Sequence, residues 1–82
     1  MTSNNTAIMV DARNLEPPEP MDRALEAAGL LREGQHVRML LHREPFPLYS
    51  ILDAMGLTYR TQLTPEGDFV ILFARAAEDL PI

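Results

Sequence analysis

The side chains of this sequence that could bind or react are concentrated around two proline-rich segments, residues 16–20 and 44–47. Each segment separates an apolar run from a helical pattern. Both are therefore expected at the carboxyl ends of parallel strands, where ligands of open α/β sheets bind. The residues expected to form this rim are Arg13, Asn14, Glu16, Pro17, Glu19, His42, Arg43, Glu44 and Tyr49. One interpretation is a small-anion or partner site built on Arg13 and Arg43.

A structural interpretation of the same rim competes with this one. Prolines remove the N–H donors that a helix N-terminus would offer to an anion, and Glu16, Glu19 and Asp22 already lie at the positive end of the helix dipole. On this interpretation the arginines pair with those glutamates, and the prolines set the backbone angles.

Metal binding is a weaker candidate. His36 and His42 lie on one predicted strand and are about 20 Å apart at a rise of ~3.3 Å per residue, so they cannot share a metal within one chain. His42 could form a mixed site with Asp11, Glu16 or Glu44, because imidazole and carboxylate are both competent ligands. No spacing such as His-x-x-x-His supports such a site, and we expect no metal and no cofactor.

The sequence does not call for an enzyme. Ser50 lies within a predicted helix and lacks a nucleophile-elbow context. The absence of cysteine excludes thiol nucleophiles, disulfides and thiolate metal sites together. The four glycines are scattered among caps and turns and form no phosphate-binding loop. We therefore expect no catalytic residues.

Length and charge restrict the class of protein further. Eighty-two residues make one domain at most, and 46% apolar residues are ordinary for a globular protein. No apolar run approaches the ~20 residues of a membrane span, and the polar N-terminus lacks the features of a signal peptide. A net charge of −5 disfavours binding to nucleic acid or to anionic membranes. The expected location is the cytoplasm.

The periodicity of apolar residues predicts a β-α-β-α-β-β order. The predicted elements are a strand at 7–11, a helix from the proline segment to Gly29, a strand at 36–42, a helix from Leu48 to Gly56, and strands at 57–63 and 69–74. Right-handed crossovers place both helices on one face of the sheet, which gives an α/β (α+β) two-layer sandwich. The expected organisation is a disordered tail at 1–6, one domain at 7–75 and a C-terminal tail at 76–82 that frays.

The first proline segment lies in a stretch that resembles a known signature. Residues 10–20, Val-Asp-Ala-Arg-Asn-Leu-Glu-Pro-Pro-Glu-Pro, are similar to the Leu-Asp-x-x-Gly-Leu-x-Cys-Pro-x-Pro of the TusA/SirA-like sulfur carriers. In that family the cysteine carries a persulfide. Pro17 stands at the cysteine position here, so persulfide chemistry is excluded. Asn14 replaces the glycine, and asparagine also tolerates a positive φ.

The second segment narrows the resemblance. Residues 42–49, His-Arg-Glu-Pro-Phe-Pro-Leu-Tyr, look like the His/Asp-x-x-Pro-x-Pro-Leu-Tyr segment of an uncharacterised bacterial family related to TusA, whose members occur alone or fused to hemerythrin-like domains. The resemblance implies a mixed four-stranded sheet whose last strand is antiparallel. The fusions suggest redox or nitrogen-oxide metabolism.

The face of the sheet opposite the helices is predicted to be open. The last strand is apolar on both sides, which usually means burial on both sides, and two helices can cover only one of them. The residues expected on a contact surface there, flanked by Arg38 and Arg60, are Met9, Leu40, Val70 and Leu72.

Two functions follow from these patterns. The leading hypothesis is a non-catalytic binding or adaptor module without sulfur transfer, which contacts a protein partner, or a second copy of itself, through the open sheet face. The alternative is a small-anion or metal-binding protein that uses the rim of Arg13, His42, Arg43 and Glu44.

Overall fold

Six helices and strands follow one another in the predicted order in the computed structural model, which describes residues 7–81. They are β1 (Ala7–Asp11), α1 (Glu19–Leu30), β2 (His36–Leu41), α2 (Phe46–Ala54), β3 (Thr58–Leu63) and β4 (Phe69–Ala74), followed by a short 3₁₀ helix (Ala77–Asp79). The tail predicted at residues 1–6 lies outside the described residues. Within the described part of the chain, neither helix is long and apolar enough to cross a membrane.

The strands form one mixed sheet in the order β1-β2-β4-β3. β1 is parallel to β2, and β4 is antiparallel to both of its neighbours. The predicted fold class, with an antiparallel last strand, is therefore confirmed. One consequence concerns the site: the carboxyl ends of β1 and β2 lie at one edge of the sheet, and the first residue of β4, Phe69, lies beside Leu41 at the end of β2.

Both helices pack on the same face of the sheet, as predicted. The main core contains alternate residues of the two central strands together with the inner faces of the helices. Its buried members are Ala12, Ala24, Ala27, Ala28, Leu31, Val37, Met39, Leu41, Leu48, Leu52, Ile71 and Phe73. The small alanine side chains of α1 let that helix lie close to the sheet.

The two helices end differently. At α2, Gly56, where the sequence predicts the end of the helix, adopts a left-handed conformation (φ +77°). The Gly56 and Leu57 N–H groups donate to the carbonyls of Asp53 (3.0 Å) and Leu52 (2.9 Å), which is a Schellman motif. At α1, the predicted stop at Gly29 is wrong: the helix continues to Leu30, and Gly29 is not among the glycines with positive φ.

The second face of the sheet is covered at β4 by the chain itself. Val70 (2% exposed) and Leu72 (1%) form a second core with Ala74 and with Leu80 (8%) of the C-terminal segment. We use the term C-terminal segment for residues 77–81. Leu40 is half-buried beside this core, and Met9 remains 62% exposed.

The packing of the C-terminal segment on β4 contradicts two expectations from the sequence. Val70 and Leu72 were expected to face water or a partner, and the tail at 76–82, of which the structure describes 76–81, was expected to fray. Instead, the carbonyl of Pro81 accepts a hydrogen bond from Arg60 (2.6 Å), and the Asp79 carboxylate accepts one from the Gly34 N–H (3.1 Å). The two-sided apolar pattern of β4 was interpreted correctly as two-sided burial. The residues that bury its second side come from the chain's own C-terminal segment.

Candidate functional site

A pocket of about 410 Å³ opens at the carboxyl ends of β1 and β2, between the two segments that lead into α1 and α2. We call it the junction pocket. Its volume lies in the range of small-molecule sites, roughly 300–1,000 Å³. Its apolar lining consists of Ala12, Leu15, Met21, Met39, Leu41 and Leu48, and its charged or titratable lining of Arg13, Glu16, His42, Arg43 and Glu44.

The walls of the junction pocket are built largely of proline. The lining includes Pro17, Pro18 and Pro20 from the first segment and Pro45 and Pro47 from the second. Proline has no N–H and a fixed φ, so these walls are stiff and offer no backbone donors at those positions. The wall chemistry therefore favours apolar groups over anions.

The floor of the pocket belongs to the main core. Met39 and Leu48 are almost completely buried beneath it, and Leu41 beside them is also buried. Because these side chains are held by close packing, the pocket is formed before any ligand arrives. The site is a preformed apolar depression with a charged mouth.

Four charged or titratable groups form a chain on one side of the mouth. The Arg13 guanidinium donates to both oxygens of Asp11 (Nε–Oδ1 2.9 Å, Nη2–Oδ2 2.8 Å) and to Asp68 (Nη1–Oδ2 3.3 Å). The Nδ1 atom of His42 lies 2.9 Å from the other oxygen of Asp68. The structural interpretation of the sequence was right that Arg13 is paired, but its partners are these aspartates and not Glu16 or Glu19.

This chain of contacts shifts the pKa values of its carboxyl groups. Hydrogen bonds from the Arg13 side chain and backbone lower the pKa of Asp11 to about 2. The hydrogen bond with His42, and then that with Arg13, lower the pKa of Asp68. The pKa of Arg13 is raised by the same two carboxylates. Arg13 therefore has little positive charge left uncompensated for a small anion.

Tyr49 lies behind the second segment and does not line the pocket. Its hydroxyl donates to Glu44 (2.9 Å) and lies 2.6 Å from the Thr61 hydroxyl on β3. Burial, followed by the effect of Glu44, raises the pKa of Tyr49, although the hydrogen bond with Thr61 opposes the shift. Its ring stacks on Tyr59 at a centroid distance of 5.0 Å. Tyr49 thus fixes the position of Glu44 at the mouth and ties α2 to β3.

The structure brings together six of the nine residues predicted for the rim. Arg13, Glu16, Pro17, His42, Arg43 and Glu44 line the pocket. Asn14, Glu19 and Tyr49 do not, and Asn14 does not adopt a positive φ, since no described non-glycine residue does. Sequence reasoning missed Asp68, which lies between the strands predicted at 57–63 and 69–74. The antiparallel direction of β4 was the available signal, because it returns the start of that strand to the pocket edge.

The remaining chemistry of the site is limited. Across residues 7–81, no three His, Asp or Glu side chains are arranged to hold a metal ion. Arg43 is exposed, and no hydrogen bond or ion pair within that part of the chain involves its side chain. The pocket can therefore offer an apolar cavity and one unpaired cationic side chain at its mouth.

A SirA-like protein from Desulfitobacterium hafniense has a similar crystal structure, with a TM-score of 0.70 and 22% sequence identity over 79% of this chain and 92% of that one. At that identity the likeness shows a shared fold. No curated protein matches the chain. The sequence pattern of a family described as uncharacterized conserved protein, DUF2249, matches residues 9–75, which include the whole pocket. The chain belongs to the DUF2249 family and has a SirA-like fold.

Proposed function

We propose that this protein is a non-catalytic binding or adaptor module without sulfur-transfer activity, and that it receives an apolar side chain of a partner protein in the junction pocket. The observation that carries the proposal is the preformed apolar pocket beside Pro17, the position at which the sulfur carriers that the sequence resembles have their cysteine. A pocket at this position without a thiol to carry sulfur suits binding better than sulfur transfer.

The rigidity of the pocket walls favours tight binding of a partner even where the contact area is small. Stiff proline walls and a closely packed floor lose little conformational freedom when a side chain enters. Buried apolar anchors that fill such pockets dominate the binding energy of many interfaces. The unpaired Arg43 and the exposed Glu16 at the mouth supply charges of both signs for the polar rim that usually surrounds an anchor.

The alternative, a small-anion or metal site on the same rim, has less physical support. Arg13 is engaged by two carboxylates, His42 contacts Asp68, and proline removes backbone donors from the walls. Arg43 is the one rim cation without a partner among the described residues, and a single exposed arginine binds a small anion weakly.

A pair of variants tests the pocket directly. Glu16→Trp places an indole at the pocket mouth, whereas Glu33→Trp places the same ring on the exposed turn between α1 and β2. We expect a photo-cross-linking amino acid at position 43 to yield one discrete adduct in cells of the source organism. That adduct should persist with Glu33→Trp and disappear with Glu16→Trp. An adduct that forms equally in both variants would place the contact elsewhere.

The absence of sulfur transfer has its own test. Incubation with a cysteine desulfurase and radiolabelled cysteine should leave the desalted protein unlabelled, because no thiolate exists to accept sulfur. Stable labelling would refute this part of the proposal and leave the pocket experiment unaffected.

A further inference from the structure

The edge strand β1 has a backbone that is unpaired on its outer side within residues 7–81. Its one strand neighbour among these residues is β2, to which it pairs from Ala7↔His36 to Asp11↔Leu40. The Ala12 N–H donates to the Leu40 carbonyl (2.9 Å), which sets the alternation of the parallel ladder. Even-numbered residues of β1 therefore direct their N–H and C=O groups to β2, and Ala7, Met9 and Asp11 direct theirs outward.

The two edges of the sheet differ in how they are protected. Natural proteins usually block a free edge with a charge, a proline or a bulge. β3, the other edge strand, carries the exposed Arg60 near its centre, and that side chain is bonded to the C-terminal segment. β1 contains no proline and a single charge, Asp11, whose carboxylate is occupied by Arg13. Of the two edges, β1 is the one that the described residues leave open to another strand.

The outward groups of β1 match those of a second copy of the same strand. They belong to three alternate residues centred on Met9, so an antiparallel copy pairs Met9 with Met9 and Ala7 with Asp11. This register gives roughly six hydrogen bonds, two for each of three outward-facing pairs. It also places Asp11 of each copy opposite a small neutral residue, so the two carboxylates do not meet.

The surface beside this edge also matches a second copy of itself when the two are related by a twofold axis. A groove of about 430 Å³ runs between β1 and α1, with Met9 (62% exposed) and Leu30 (63%) along it. Arg23 and Glu26 lie on the groove on either side of the middle of α1, 3.9 Å apart. A twofold axis perpendicular to the sheet at Met9 sets the two α1 helices antiparallel. Arg23 of each copy then faces Glu26 of the other copy, which gives two equivalent pairs of opposite charge.

We propose that two copies of this protein associate through the outer edges of β1, joining two four-stranded sheets into one continuous sheet. The contact buries Met9 and Leu30 and satisfies the unpaired backbone groups, which are the usual sources of affinity in β-strand addition. The interface and the junction pocket share only Leu15 among their lining residues, so a dimer leaves the proposed binding site open.

The register makes the proposal sharply testable because the chain has no cysteine of its own. At Met9 the two Cα atoms would lie about 5.5 Å apart, within the range of about 4.4–6.8 Å that a disulfide spans. We expect Met9→Cys to give a covalent dimer under mild oxidation. Leu63→Cys, at a similarly exposed position (66%) on the other edge strand, should remain monomeric on a non-reducing gel. Ala7→Cys should also remain uncross-linked, because its symmetry mate would lie about 13 Å away along the strand.

Light scattering of proteins without an introduced cysteine completes the test. The parent and Gln62→Lys, a charge added to β3, should have twice the mass of one chain, whereas Met9→Lys should be monomeric with an unchanged circular dichroism spectrum. If Met9→Lys does not fold, Arg23→Glu should dissociate the dimer, and the added change Glu26→Arg should restore it. A monomeric parent, a dimer that survives Met9→Lys, or equal cross-linking at positions 9 and 63 would each overturn the proposal.

Discussion

Replacing Leu80 with alanine removes the main apolar contact between the C-terminal segment and the sheet. Leu80 is 8% exposed and packs with Val70, Leu72 and Ala74 on the face opposite the helices. Leucine-to-alanine changes at buried sites cost about 2–5 kcal/mol. The C-terminal segment is short and can move to fill part of the cavity that the missing leucine atoms leave. We therefore expect a cost at the lower end of this range, about 2 kcal/mol. A domain of this size has roughly 4–12 kcal/mol of stability at ~0.05–0.15 kcal/mol per residue.

The measurement is urea unfolding followed by circular dichroism, with thermal unfolding in parallel. A loss of about 2 kcal/mol corresponds to a fall in Tm of about 8–16 °C for a chain of this length. The matched control is Leu63→Ala, which removes the same atoms from a side chain that is 66% exposed and should change stability by no more than about 0.5 kcal/mol.

A second variant separates the two attachments of the segment. Arg60→Met keeps an apolar stem beside Leu72 but removes the hydrogen bond to the Pro81 carbonyl. Since Arg60 is exposed, the expected cost is at most about 1 kcal/mol. If Leu80→Ala unfolds at the same urea concentration as Leu63→Ala, the segment does not cover the sheet. Val70 and Leu72 would then be open to water or to a partner.

Three further predictions concern the site and its supports. Tyr49→Phe removes a hydroxyl with two side-chain hydrogen bonds and should cost about 1 kcal/mol in urea unfolding, whereas a change near zero would mean that water replaces both bonds. The lowered pKa of Asp68 means that its carboxylate stabilises the fold above the unfolded pKa of about 3.9, and that this contribution is lost as the pH falls through the folded pKa. Asp68→Asn should therefore lose less stability than the parent between neutral pH and pH ~2, and parallel pH profiles would contradict the assignment. Gly56→Val should cost at least about 1 kcal/mol at φ +77°, whereas Gly29→Ala within α1 should be neutral or stabilising. Equal melting temperatures for these two glycine variants would exclude the left-handed cap.

Much of the candidate site was predictable because its residues are local to two segments. The proline runs stop two strands and start two helices, and parallel strands bring their carboxyl ends to one edge. Six rim residues therefore meet at the pocket. Tyr49 was placed on the rim because it is close in sequence, but one turn into α2 its side chain points to Glu44 and β3. Asp68 was missed because it is 55 residues from Arg13 in sequence, and no local pattern records that distance.

The sequence alone determined the element order, the Schellman end of α2, the two-sided burial of β4 and the absence of thiol chemistry. These features depend on periodicity, on a glycine at one position and on composition, all of which are local. The tertiary structure decided what covers the second face of β4 and which carboxylates neutralise Arg13. The C-terminal segment has no apolar period, and within residues 77–81 a single leucine at position 80 fits the surface that Val70, Leu72 and Ala74 present. Such a fit depends on the shape of the assembled sheet, and the sequence of the segment carries no record of that shape.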